Sequence, residues 1–148
     1  MTTFRAATRA ATVTLLEGYK AANDSALKQI YPGRPASIYA PCAFPETIDE
    51  PEINYTAQMV QRNPRVTVRI VHGTFDSAEA VAQQDAFIDG FMTYVLTNRH
   101  AAGARTLLAV ISVSDEPGWV PEWLPIDQQR SYYSSLLTLE GTILEGDG

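Results

Sequence analysis

Arg65-Val66-Thr67-Val68-Arg69-Ile70-Val71, running directly into His72-Gly73-Thr74-Phe75-Asp76-Ser77 and then a long helical pattern, is the stretch that decides the fold. Val66, Val68 and Ile70 fall on one side of an extended chain, while Thr67, Arg69 and Val71 fall on the other. That period of two marks a half-buried strand. Asp76 or Ser77 then supplies a helix cap, and Glu79 stands three residues after Asp76 in a capping-box arrangement. The helix is predicted to run to about Asn98, with Val81, Ile88, Phe91, Met92 and Val95 as its buried stripe and Phe87 and Tyr94 on the flank. His100-Ala101-Ala102-Gly103 closes it, Gly103 being suited to the left-handed position.

Upstream of the strand, residues 57–64 hold Gln58, Gln61, Arg62, Asn63 and Pro64 and read as a polar hairpin tip. Pro41, Pro45 and Pro51 divide the preceding segment into short extended pieces, with strands predicted near 37–40 and 46–55. Pro32-Gly33-Arg34-Pro35 is turn chemistry. Before it, residues 3–22 place Phe4, Ala7, Ala11, Leu15 and Tyr19, joined by Val13 and Leu16, at helical spacing. Arg5 and Arg9 lie four residues apart on this helix and read as a solvated cationic stripe. After Asn23-Asp24-Ser25, residues 26–31 are expected to add one or two helical turns, so that 1–31 forms a helical N-terminal part.

Downstream, residues 106–113 are nearly all apolar, as in a central strand covered on both faces. Residues 115–125 read as a loop built on Glu116-Pro117-Gly118, and 130–144 as a final strand. In that strand Tyr133, Ser135, Leu137 and Leu139 share one face, and Tyr132, Ser134, Leu136 and Thr138 the other. Residues 145–148 are expected to fray. The class is therefore α+β: a mostly antiparallel or mixed sheet of four to five strands, with an N-terminal helix and a long central helix packed on one face. With no internal repeat, residues 1–148 are expected to form a single domain.

A composition of 45% hydrophobic and 19% charged residues belongs to a packed globular protein. The net charge of −6, without any run of Lys or Arg, argues against a nucleic-acid grip. Cys42 is the single cysteine, which excludes an intramolecular disulfide or a thiolate cluster and favours a reducing compartment. The first residues lack the apolar core of a signal peptide, and no run approaches the ~18 apolar residues of a membrane span. A soluble protein made in the cytoplasm, without membrane partners, is expected.

The chemically active residue types are few. Cys42 lies in Pro41-Cys42-Ala43-Phe44, with neither a glycine elbow nor a helix start to activate a thiolate, and reads as a small packed hydrophobe. In the strand-to-helix turn Asp76, Ser77 and Gly73 are explained by capping and turning, leaving His72 to end the strand through a hydrogen bond. Asp85 and Asp89 are four apart on the long helix, too few ligands for a divalent ion, and read as a wet acidic face. Glycine-rich phosphate-binding patterns do not occur. The expectation is therefore a protein without catalytic, cofactor-binding or metal-binding residues.

Large aromatic residues remain. Pro121-Glu122-Trp123-Leu124-Pro125 follows Trp119 and leads into Tyr132-Tyr133, and Trp119, Trp123, Tyr132 and Tyr133 are candidate anchors of a subunit interface. Gln58 and Arg62 at the hairpin tip join them as candidates. The alternative is that the tryptophans cap the sheet as a satellite core.

These residues together resemble a family, the tail terminator proteins of phages with long, non-contractile tails, in particular those of actinobacteriophages. The similar features are Phe4-Arg5-Ala6-Ala7, Tyr31-Pro32-Gly33-Arg34-Pro35, the segment from Val71-His72-Gly73 to Ala80-Val81, Asp85-Ala86-Phe87-Ile88-Asp89-Gly90-Phe91, Trp123-Leu124-Pro125 and Leu139-Glu140-Gly141. The resemblance implies an α+β subunit of a homohexameric ring at the head-proximal end of the tail in the virion. Such a ring stops tube polymerisation and forms the joint to the head connector. Its implied partners are other copies of the chain, the tail tube protein and the connector, with DNA passing through unbound. Another neck or tail-completion subunit is the nearest alternative. A small cytosolic enzyme using His72 with Asp76 or Cys42, or a ligand-binding module beneath Trp119 and Trp123, stands further off.

Overall fold

The computed structural model describes residues 4–23, 27–49, 53–55, 59–75, 78–97, 109–141 and 143–146. In chain order the elements are α1 (Phe4–Ala22), β1 (Gln29–Ile30), β2 (Cys42–Asp49), β3 (Ile53–Tyr55), β4 (Met59–Arg62), β5 (Arg65–Thr74), α2 (Ala78–Thr97), β6 (Ala109–Trp119), a 3-10 turn (Ile126–Gln128), β7 (Tyr132–Glu140) and β8 (Ile143–Gly146). This is the α+β class expected from the sequence, with an N-terminal helix and a long second helix. Five strands form a mixed sheet in the order β1-β2-β5-β7-β6, in which only β1 runs parallel to its neighbour.

The alternation read in β5 and β7 places the core. Val66, Val68 and Ile70 share one face with Leu137 and Leu139, and all five are fully buried. Over them lie Leu15, Leu16 and Tyr19 of α1 and Phe87, Phe91 and Val95 of α2. Tyr19 meets the rings of Phe87, Phe91 and Tyr94 edge-on, with centroids 5.2, 5.3 and 5.6 Å away. Two glycines permit the helices this approach: a Cβ on Gly18 would collide with the Tyr94 hydroxyl, and one on Gly90 with the Tyr19 hydroxyl.

Several elements differ from the sequence expectation. Residues 27–31 are not helical: Lys28 N donates to Pro41 O (2.7 Å) and Tyr31 N to Ala43 O (3.0 Å), drawing this segment onto the edge of β2 as β1. No strand forms at 37–40; the strand expected at 46–55 begins earlier, at Cys42, and is described as β2 to Asp49 and as β3 from Ile53, residues 50–52 lying outside the described residues. The buried stripe of α2 is Ala80, Gln84, Phe87, Phe91 and Val95, while Val81 and Met92 are 43% and 38% exposed. Small Ala80 against Gly73, and Gln84 bonded to Ser135, turn that face to the sheet. The proposed caps Asp76 and Ser77 and the closing Gly103 lie outside the described residues.

The apolar run thought to form a central strand belongs to an edge. Among the described residues β6 pairs only with β7, and Ile111, Ser112, Val113 and Ser114 are exposed. The strand continues through Pro117 to Trp119, with an irregular register at Gly118, whose φ of +77° only glycine adopts easily. Glu116-Pro117-Gly118 thus kinks an edge strand and does not open a loop there. The loop follows, from residue 120.

The last correction concerns the far end of the sheet. The expected polar tip at 57–64 contains β4, and the expected strand at 130–144 is two strands separated at Gly141. β3, β4 and β8 continue β2, β5 and β7 in the same side-by-side order, β3-β4-β8. The ribbon turns at Asn63-Pro64 and Gly141, where Gly141 N donates to Pro64 O at 3.0 Å. Glu145 and Gly146, expected to fray, are paired with Val60 and Met59. The outcome is a three-stranded arm whose strands contact one another and no other element among the described residues. Among those residues no helix is long and apolar enough to cross a membrane.

Candidate functional site

On the sheet face opposite the helices, Cys42, Phe44, Val71 and Tyr132 form a second buried cluster. Tyr31, Ile38, Trp119 and Trp123 lie against it, half-buried. Trp119 ends β6 directly opposite Tyr132, their rings 6.3 Å apart. Trp123 stands 5.4 Å from Trp119 and meets Phe44 edge-on at 6.0 Å. Its indole Nε1 donates to Pro35 O at 2.9 Å, tying the loop to the Pro32-Gly33-Arg34-Pro35 turn. The tryptophans therefore direct much of their ring surface at their own sheet, and the satellite-core alternative describes what they do.

Arg69 explains why they gather here. The pairing register puts this residue on the same face, where it is 4% exposed. Its Nε donates to Glu46 Oε2 (2.5 Å), and its Nη1 to Glu116 Oε2 (2.7 Å) and Ser134 Oγ (2.7 Å). Trp119 covers the guanidinium at 4.1 Å. A desolvated cation is stable only with such partners, and the planar fork of arginine satisfies several at once. Arg34 lies over Trp123 at 5.1 Å in a similar way. An open cleft of about 470 Å³ lies between these groups, lined by Arg34, Glu46, Trp119, Glu122 and Trp123. The alternation in β5 marked Arg69 as facing away from the main core, but only the register of three strands brings Glu46, Glu116 and Ser134 to it.

The remaining interface candidates are dispersed. Tyr133 is half-buried and, one residue from Tyr132, faces the helix side of β7. Arg62 is in β4 of the arm, at the opposite end of the long strands from the tryptophans. Gln58 lies outside the described residues. The six residues thus form no single surface: four surround the tryptophan end and one marks the arm.

Cys42 and His72 are both sealed from solvent. Cys42 is fully buried, and desolvation pushes its thiol up to about 12. His72 is 3% exposed on the helix side, and burial pushes its imidazole down to about 4. Since Cys42 pairs with Val71 and faces the tryptophans, the sheet itself separates thiol from imidazole. Instead His72 Nε2 is 2.9 Å from Ser135 Oγ. Gln84 Nε2 donates to that oxygen at 2.8 Å and to Asp115 Oδ1 at 2.5 Å. With Oγ accepting from Gln84, the serine hydrogen is free to meet an unprotonated imidazole. Ser135 is fully buried, so this chain of groups fastens α2 to the sheet.

Asp85 and Asp89 are exposed and line an open groove of about 410 Å³ with Asp115, Gln84, Ile88 and Val113. Among the described residues no group of three His, Cys, Asp or Glu side chains could hold a metal ion. Arg5 is exposed, as expected of a solvated stripe, and Arg9 is half-buried; both also make a contact the sequence did not show. Their Nη1 atoms donate to Ile48 O and Pro45 O, both at 3.3 Å, so the two guanidinium groups cap carbonyls along β2. Compared with known proteins, the chain matches no family model and no curated protein.

Proposed function

We propose that the chain is a ring-forming structural subunit of a phage tail: the terminator that caps the tube, stops its growth and joins it to the head connector. The observation that carries the reading is the uncovered arm. Three strands of three or four residues, as in β3, β4 and β8, are stable in water only with a hydrophobic face to bury or another layer packed on them. A layer of this kind is stable when something packs on it, and no other element of the described chain does. A neighbouring molecule is the natural cover.

The choice of terminator rests on the resemblance of the short sequence segments quoted above to that family. Head-to-tail contacts that close by rotation give a ring, and contacts that fail to close give a filament. The proposed neighbours are other copies of the chain, the tail tube protein and the connector. Repeated around a ring, the charge of −6 per subunit would repel DNA from the wall of a passage. Native mass spectrometry of the purified chain, and electron microscopy of tails labelled through it, test the reading. A closed ring at the head-proximal end is expected. A chain located on the connector side of the joint would make it a different neck subunit, and one missing from tails would sink the proposal.

A further inference from the structure

The two long edges of the main sheet are treated differently. Along β2 the outer edge is occupied: β1 takes its first two residues, Pro45 removes a donor, and Arg9 and Arg5 cap Pro45 O and Ile48 O. Proline and inward-reaching charge are devices that stop one sheet from adding to another. β6 is guarded only in part: Asp115, Glu116, Pro117 and a register shift lie in its second half and another shift falls between Val110 and Ser112, which leaves residues 111–114 as its open stretch. It is eleven residues long, pairs with β7 on one side, and among the described residues forms no backbone hydrogen bond on the other. Ile111 is 47% and Val113 39% exposed along it, and the strand carries no lysine or arginine. A short open edge bearing exposed apolar residues, as at 111–114, is a template for a short strand from another molecule.

We infer that the outer edge of β6 receives β3 of a second copy of this chain, a proposal that rests on the ring reading above. β3 is the complementary element. It is the outermost strand of the arm on the β2 side, the opposite side of the ribbon from β6. It is also the one edge on that side which neither β1 nor the two arginines close. Tyr55 at its end is 75% exposed. Pairing β3 of one copy with β6 of the next joins opposite sides of identical subunits, which is the head-to-tail contact a ring requires. The same contact satisfies the bare edge of one molecule and supports the uncovered arm of another. Pairing of β6 with β6 would give an isolated two-fold dimer and leave both arms uncovered.

The chain's only cysteine simplifies the test. Cys42 is buried and its thiol is pushed up to about 12, so introduced cysteines react alone. Tyr55→Cys and Ile111→Cys are made singly and together and treated with a short bis-maleimide; Ser112→Cys, also exposed, repeats the test one residue along β6. The double variant is expected to give a ladder of covalent species ending at the ring. A mixture of the two single variants should give mixed dimers, and each single variant alone should remain monomeric on a denaturing gel. Dimers from Ile111→Cys or Ser112→Cys alone would establish β6-to-β6 pairing and overturn the inference. Intact rings in which the double variant does not crosslink would also overturn it while leaving the ring in place. A chain that stays monomeric at every concentration would remove the ring reading itself.

Discussion

At the scale of single residues, the two sides of the sheet hold their buried polar groups by opposite means. The buried guanidinium of Arg69 is satisfied by Glu46, Glu116 and Ser134, which bond its fork, and by Trp119, which covers it. His72 has no carboxylate in contact, and burial keeps it neutral, with an imidazole pushed down to about 4 from 6.5. As pH falls through about 6.5 the unfolded chain takes up a proton at this position, and the folded chain does so only near 4. Between those values the unfolded state binds more protons, so its share of the population grows as acid is added. The stability contribution is complete above pH 6.5 and is expected to decline by about 3 kcal/mol on approaching pH 4. Urea denaturation of the wild type and of His72→Gln across this range measures it. The wild type's advantage should shrink with falling pH, and a gap that stays constant would show that His72 does not titrate in this way.

At the scale of elements, the contact between α1 and α2 depends on the absence of two side chains. Gly90→Ala is expected to destabilise the fold by about 1–2 kcal/mol, the overpacking cost exceeding the gain in helix propensity. Tyr19 cannot yield easily, because three aromatic rings surround it. Adding Tyr19→Phe, which removes the colliding hydroxyl, should restore most of the loss; denaturant midpoints that show no such rescue would place the strain elsewhere. β5, β7 and the two helices were legible because alternation and helical spacing are local properties of the chain. The rotation of α2 was not: Val81, Ile88 and Met92 make as good an apolar stripe as Ala80, Phe87 and Phe91. What decides between them is Gly73 and Ser135 on the sheet beneath. β6 was placed at the centre because its apolar start resembles a covered strand, yet covering depends on strand order, which no single strand encodes. β4 was read as a polar tip because Gln61 and Arg62 lack the pattern of a strand with a buried face. The tryptophans were seen as a packing surface, but Arg69, which gathers them, was not, since Glu46 and Glu116 reach it only through the register of strands distant in sequence.

At the scale of the whole molecule, the long strands carry a self-sufficient half and a dependent half. The end enclosed by α1, α2 and the tryptophan cluster has a core on both faces of the sheet. The arm beyond Pro64 and Gly141 has no covering element among the described residues. If the arm is stabilised by a neighbouring copy, folding and association are linked, and stability must depend on protein concentration. Each tenfold increase adds about 1.4 kcal/mol per subunit, which for a chain of this length raises the thermal midpoint by about 3–6 °C. Calorimetry over two decades of concentration, run beside light scattering, reads both quantities. The midpoint should climb over the range in which scattering shows assembly, and Ile111→Lys, which places a charge on the bare edge of β6, should flatten the climb while leaving the dilute-limit midpoint almost unchanged. A midpoint indifferent to concentration while assembly proceeds would mean that the arm gains nothing from its neighbour. Its stability would then come from within the chain, and the case for β3 as the strand that completes the edge of β6 would fail with it.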